Sequence, residues 1–167
     1  TEIDALADIA AINASSQVVI SGADEILARI SKNLDRDGLK YRQLPVSHAF
    51  HSSLVDPALD AFEKRAGQVS YTPPKMRLIS NITGATADSA SICTPTYWRQ
   101  HMRETVRFAD GVTSMAQQDV DIFVEIGPQP VLTALAKESY EDGNLNHSAI
   151  FLPSIRRGQS EWKQMQS

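Results

Sequence analysis

Apolar positions along this chain of 167 residues change rhythm part-way. The early part reads mostly as short β-type runs. Asp8-Ile9-Ala10-Ala11-Ile12-Asn13 predicts a strand and Ala14-Ser15-Ser16 a turn. Gln17-Val18-Val19-Ile20-Ser21, closed by Gly22, predicts a second strand antiparallel to the first. Ile26, Leu27, Ile30 and Leu34 recur at helical spacing, so Ala23 to Leu34 predicts a helix that Asp37-Gly38 stops. Asp24 and Glu25 lie in its first turn, where negative charge suits the helix dipole. Leu39 to Val46 predicts a returning strand.

Farther on, helical faces alternate with single strands. Val55, Leu59, Phe62 and Ala66 mark a helix running to about Gly67, capped by Ser53 or by Asp56 with Pro57 in its first turn. Pro73-Pro74 breaks the chain. Met76 to Ile79 predicts a buried strand, Thr83-Gly84 a turn and Asp88 to Thr94 a polar loop. Pro95-Thr96 opens a helix carrying Tyr97, Trp98, His101 and Met102, and Phe108, Val112, Met115 and Ala116 form the next helical face. Ile122 to Ile126 predicts a strand running into Gly127-Pro128-Gln129-Pro130. Leu132, Leu135 and Ala136 begin a helix that Glu141-Asp142-Gly143 ends, and Ala149 to Leu152 predicts the last strand. The strands Met76 to Ile79 and Ile122 to Ile126 read as buried on both faces, as in a parallel sheet covered by helices. This order, strand-rich α+β first and then helices alternating with strands, implies a mixed α/β fold in two layered parts.

Composition adds limits rather than an activity. The net charge of -4, with no Lys/Arg run or basic stripe interleaved with aromatics, argues against a nucleic-acid surface. Cys93 is the single cysteine, which excludes an intrachain disulfide framework and a CxxC metal knuckle and fits a reducing cytoplasm. No apolar run approaches the roughly 20 residues of a membrane span. The first residues lack the basic-then-apolar pattern of a signal peptide.

Candidate chemistry centres on Gln43 to Pro57, QLPVSHAFHSSLVDP, where an apolar strand end turns into a helix start. Rigid elements on both sides of such a turn can fix a reactive side chain. His48 and His51 lie three apart, and histidine exchanges a proton near neutral pH. A zinc site would need a third ligand at a telling distance, and none is apparent. Two readings remain: polar turn residues, or a general base for a hydroxyl nucleophile. The second needs a nucleophile, yet the strand-to-helix elbow pattern GxSxG occurs nowhere in the chain.

Five stretches together carry a resemblance: AAINASSQVVISG (Ala10 to Gly22), LPVSHAFHSSLVDP (Leu44 to Pro57), LISNITG (Leu78 to Gly84), YWRQHMRETVRFADGV (Tyr97 to Val112) and FVEIGPQPVLT (Phe123 to Thr133). In this order they resemble the acyltransferase domain of modular type I polyketide synthases, relatives of the malonyl-CoA:acyl carrier protein transacylase of fatty acid synthesis. The resemblance implies a two-subdomain fold: a ferredoxin-like small subdomain, here incomplete and placed at 1–50, and the C-terminal part of a large hydrolase-like α/β subdomain at 51–152. Residues 153–167 resemble the start of the linker that follows such domains. The family's domain is nearly twice as long. Its GHSxG nucleophile elbow, oxyanion-hole glutamine and carboxylate-gripping arginine lie in the first half and have no counterpart here, so the chain is expected to be a C-terminal fragment, inactive alone, with an exposed apolar surface at the strands Met76 to Ile79 and Ile122 to Ile126 where the missing half would pack.

The resemblance also assigns roles. His51 matches the catalytic histidine, which would deprotonate the serine and protonate the departing CoA thiolate. His48, Ala49 and Phe50 complete a HAFH tetrad of the malonyl-selecting kind, where methylmalonyl-selecting domains usually show YASH. His101 matches the position whose main-chain carbonyl orients the catalytic ring; the alternative is a helix residue packed beside Trp98. No metal and no resident cofactor are implied. The expected partners are malonyl-CoA, an acyl carrier protein bearing phosphopantetheine, a neighbouring ketosynthase and linker, and the N-terminal half of the domain. Two other readings are a discrete transacylase of fatty acid synthesis and a non-catalytic remnant serving as a docking surface.

Overall fold

The structure is a computed structural model that describes residues 7–143 and 148–155. The expected linker lies almost wholly outside them. Strands β1 (Ala7–Ala14) and β2 (Gln17–Gly22) form an antiparallel hairpin. Helix α1 (Asp24–Arg36) follows and packs on β2. Its end is fixed by local chemistry. Leu39 N–H donates to the Leu34 carbonyl at 2.9 Å and Gly38 N–H to the Asp35 carbonyl at 3.2 Å, with Gly38 at φ 69°. This pairing satisfies carbonyls that a helix end otherwise leaves open, and it needs the left-handed backbone that glycine adopts without strain.

The strand expected over Leu39 to Val46 does not form. Among the described residues no strand lies beside this segment to take its backbone hydrogen bonds, and Leu39, Tyr41, Leu44 and Val46 stay exposed. A 3-10 turn (Ser53–Val55) then leads into helix α2 (Asp56–Ala66). The cap of that turn is Ser52, whose Oγ accepts from Leu54 N–H at 3.3 Å, rather than Ser53 or Asp56. Ser53 N–H is engaged elsewhere, as described below. Met76 to Ile79 is likewise not a buried strand. Only an isolated bridge joins Ile79 to Thr86, and Met76 is 83% exposed. Part of the expected loop after Asp88 is a short helix, α3 (Ser89–Ile92), capped by the Asp88 carboxylate.

Helix α4 (Pro95–Arg103) lies against α2, held by Arg99 to Asp60 and Glu63 and by Thr96 to Glu63. The short strand β3 (Val106–Arg107) leaves α4 and pairs parallel to β1, giving the sheet order β2-β1-β3. Helix α5 (Phe108–Ala116), strand β4 (Ile122–Glu125), helix α6 (Leu132–Asp142) and strand β5 (Ile150–Pro153) complete the chain. Strands β4 and β5 pair in parallel.

The main core lies between α5, α6 and this second sheet. Val112, Ala116, Ala136 and Tyr140 are buried there against Phe108, Met115, Phe123 and Phe151. The rings of Phe123 and Phe151 stack at 5.0 Å, with Tyr140 edge-on to both. Alternation along β4 sends Phe123 inward and Ile122 and Val124 outward. Helices cover one face of this sheet, and Ile122, Val124, Ile150 and Leu152 are exposed on the other, the uncovered apolar surface expected of strands whose second cover lies outside this chain. Ser139 Oγ donates to the Asn13 carbonyl at 2.7 Å and joins α6 to β1, so the two sheets share one frame.

Candidate functional site

His51 stands in the turn between the extended Leu39–Val46 segment and α2, with an unusual backbone. Its φ is 60°, a left-handed conformation that costs a non-glycine residue on the order of 1–3 kcal/mol and persists only where surrounding contacts impose it. Those contacts come from the end of α4. His51 N–H donates to the Met102 carbonyl at 3.3 Å, and its ring Nδ1 lies 2.8 Å from the Glu104 carbonyl. A helix leaves its last carbonyls without intrahelical partners, so the C-terminus of α4 offers acceptors where the turn passes.

The identity of the acceptor fixes the ring's protonation pattern. A carbonyl cannot donate, so Nδ1 carries the hydrogen and the neutral ring presents its lone pair at Nε2. Nε2 has no hydrogen-bond partner among the described residues, and His51 is half-buried. The ring is thus held at one nitrogen and open at the other, the arrangement a general base requires.

The orienting carbonyl is that of Glu104, not of His101. His101 belongs to the last turn of α4, whereas Glu104 follows the helix with an extended backbone (φ -77°, ψ 157°), which directs its carbonyl off the helix axis. The imidazole of His101 contributes instead to a ring cluster, 6.4 Å edge-on from His51, 5.6 Å from Trp98 and 6.1 Å from Tyr97. Burial, with a smaller contribution from the charge of His51, lowers the pKa of His101 below the ordinary histidine value. His101 therefore packs beside His51 as a neutral ring near neutral pH.

His48 is exposed and lies in a different setting. Its Nδ1 is 2.8 Å from Ser47 Oγ, its ring is 5.8 Å from that of Phe50, and it makes no hydrogen bond to α4. Phe50 is half exposed and Ala49 half-buried; the Ala49 carbonyl accepts from buried Ser52 Oγ at 2.6 Å, which closes the turn across His51. His48, Ala49 and Phe50 thus form one outward-facing rim, with His51 directed to α4. Among the described residues no group of three or more His, Cys, Asp or Glu side chains is placed to hold a metal ion. A shallow cavity of about 650 Å³ at Asp35, Gly38, Leu39, Lys40 and Tyr41 contains none of the candidate residues.

Several residues that hold the site, or the helix α6 elsewhere in the frame, were not singled out from the sequence. Glu104 and Met102 act through carbonyls, which no side-chain pattern announces. Arg103, between them, bonds Asp56 and Asp8 through its guanidinium. Glu125, at the end of β4, accepts from the N–H groups of Val131, Leu132 and Thr133 and from the Thr133 hydroxyl, at 2.8–3.1 Å. Helix α6 has no side-chain cap of its own, so Glu125 closes its N-terminus from across the Gly127-Pro128-Gln129-Pro130 turn.

Comparison with known proteins gives the family and the fold. The sequence profile of the acyl transferase domain matches residues 4–167. Polyketide synthase GfsB of Streptomyces halstedii is 43% identical over 133 residues, 80% of this chain and 2% of that protein. Mycoketide-CoA synthase of Mycobacterium tuberculosis is 41% identical over 140 residues, 84% of this chain and 3% of that protein. The acyltransferase domain from the second module of the salinomycin polyketide synthase superposes with a TM-score of 0.88 at 38% identity, covering 97% of this chain and 37% of that one. The structure of MCAT from Streptococcus pneumoniae superposes at 0.80 with 25% identity, covering 96% and 50%. The chain thus spans a few hundredths of the synthases it matches and between a third and a half of the solved domains. With residues 4–167 matched and the fold shared, the chain belongs to the acyl transferase domain family and is similar to the acyltransferase domains of modular polyketide synthases.

Proposed function

We propose that this chain supplies the general base and the extender-selecting rim of an acyltransferase that moves a malonyl unit from malonyl-CoA to the phosphopantetheine thiol of an acyl carrier protein. The observation that carries the reading is the ring of His51, fixed through Nδ1 to the Glu104 carbonyl with Nε2 unpaired. In the proposed reaction Nε2 takes the proton of a serine hydroxyl supplied by the N-terminal half of the domain. The serine oxygen attacks the thioester carbonyl, the C–S bond breaks, and the CoA thiolate takes the proton from His51. The phosphopantetheine thiol then gives its proton to Nε2 and attacks the acyl-serine, and the serine oxygen leaves with that proton.

The HAFH tetrad supports malonyl as the unit moved, because Phe50 beside His48 would occupy the volume that a 2-methyl branch needs. The proposed setting is a cytoplasmic megasynthase, with a ketosynthase and linker as neighbours. Polyketide synthases among the curated relatives are 33–43% identical, and solved acyltransferase domains of such synthases are 24–38% identical, against 21–25% for three transacylase structures; the higher upper end favours that setting over a stand-alone enzyme.

The test is single-turnover self-acylation of the full-length protein with malonyl-CoA. His51→Ala should slow acylation roughly 10²–10⁴-fold, the usual range for loss of a general base. An unchanged rate would remove His51 from the mechanism.

A further inference from the structure

We infer that Arg103 and Asp8 are positioning residues for His51, forming a clamp that holds the His51 turn in its left-handed conformation. This rests on the reading of His51 as the general base. Three consecutive residues at the end of α4 grip the same turn. The carbonyls of Met102 and Glu104 take the N–H and the ring Nδ1 of His51. Between them, Arg103 Nε donates to Asp56 at 2.8 Å, at the start of α2, and a second guanidinium nitrogen lies 3.4 Å from one oxygen of Asp8. The other oxygen of Asp8 accepts the Ser53 backbone N–H at 2.8 Å.

The turn is therefore held on both sides. His51 is bonded to α4, Ser53 to β1 through Asp8, and Arg103 ties α4 to Asp8 and to Asp56. Asp8 and Arg103 are each about one-third exposed, so the contacts are only partly screened. The planar fork of arginine can serve two carboxylates at once, whereas an ammonium is a single point charge. Release of Ser53 would let the turn relax from φ 60° toward the right-handed region, and the ring would then swing away from the Glu104 carbonyl.

The test uses the full-length protein that carries this chain, with four variants. Asp8→Ala removes the acceptor for Ser53 N–H; Asp8→Asn keeps an oxygen there. Arg103→Lys keeps the charge but not the fork. Ser139→Ala, remote from the turn, serves as a control for destabilisation alone. Asp8→Ala should lower kcat of malonyl transfer to the acyl carrier protein roughly ten- to a hundredfold, the scale expected for a misplaced catalytic group, with KM for malonyl-CoA within about twofold. Asp8→Asn should stay within a few-fold of wild type, and Arg103→Lys should fall between. Nitrogen chemical shifts of the His51 ring should change from one Nδ1–H tautomer to a mixture in Asp8→Ala, while Ser139→Ala lowers Tm and changes neither readout. If Asp8→Ala fails to fold, Arg103→Lys decides: a wild-type kcat and a single tautomer would overturn the clamp. Equal kcat losses for Asp8→Ala, Asp8→Asn and Ser139→Ala would overturn it as well, since only general stability would then be involved. A wild-type rate for His51→Ala would instead overturn the assignment of the base.

Discussion

The Nδ1 of His51 and the carbonyl oxygen of Glu104 are 2.8 Å apart, and the partner is a main-chain atom of a residue whose side chain is exposed. Substitution of that side chain should leave the contact intact. Glu104→Ala is expected to acylate within about threefold of wild type, as for an ordinary surface change. Single-turnover kinetics beside His51→Ala check this. A loss comparable to that of His51→Ala would mean that the Glu104 carboxylate, not its carbonyl, serves the ring.

His48 and His51 separate in the same way. His48 meets Ser47 and Phe50 on the exposed rim and takes nothing from α4. His48→Ala should keep the rate with malonyl-CoA within about threefold. It should shift the preference between malonyl and methylmalonyl units by roughly tenfold, because one methyl in a pocket is worth about 1–3 kcal/mol. Competition between the two CoA thioesters measures this. Loss of acylation with both, while His51→Ala remains active, would exchange the two assignments.

What the sequence made legible was local. The β1–β2 hairpin, the Asp37-Gly38 stop of α1 and the α5 face of Phe108, Val112, Met115 and Ala116 each depend on neighbours a few residues away, and each formed as expected. Leu39 to Val46 and Met76 to Ile79 failed because a strand exists only beside another strand, and the described residues supply none. At the site, the histidines were visible as residue types, and their surroundings were not. Glu104 acts through its backbone, the φ of His51 has no signature in residue identity, and Asp8 reaches Ser53 across 45 positions. Such tertiary contacts leave no periodicity to read.

Gly84 offers a test of the packing between the turn after Ser80 and α5. It lies at φ 67°, its N–H donates to the Ser80 carbonyl at 2.8 Å, and a Cβ there would come within 2.2 Å of the Asp110 Cβ. Gly84→Ala thus meets backbone strain and a clash with a main-chain-proximal atom together. It should destabilise the chain by about 2 kcal/mol or more. Urea unfolding measures this, and a stability within about 0.5 kcal/mol of wild type would show that α5 can move aside.

Acid sensitivity should reside in part at Glu125. Burial alone would raise its pKa, but the hydrogen bonds from Thr133, Leu132 and Val131 outweigh that effect and hold the carboxyl below its usual range. A carboxylate whose folded pKa lies below its unfolded value adds stability that is full above the unfolded value and is lost as pH falls through the folded one. Protonation puts a hydrogen among groups that are themselves donors, so the N-terminus of α6 loses its cap. Glu125→Gln places an amide in the same position and should cost on the order of 1 kcal/mol near neutral pH, as for other cap losses. The difference between wild type and variant should hold steady above the ordinary glutamate value of about 4.3 and narrow as pH falls below it, because the protonated acid and the amide then resemble one another. Paired urea titrations from neutral pH into acid give the curve. A difference that stays constant through the acid range would mean that the charge of Glu125 contributes nothing to holding α6 on β4.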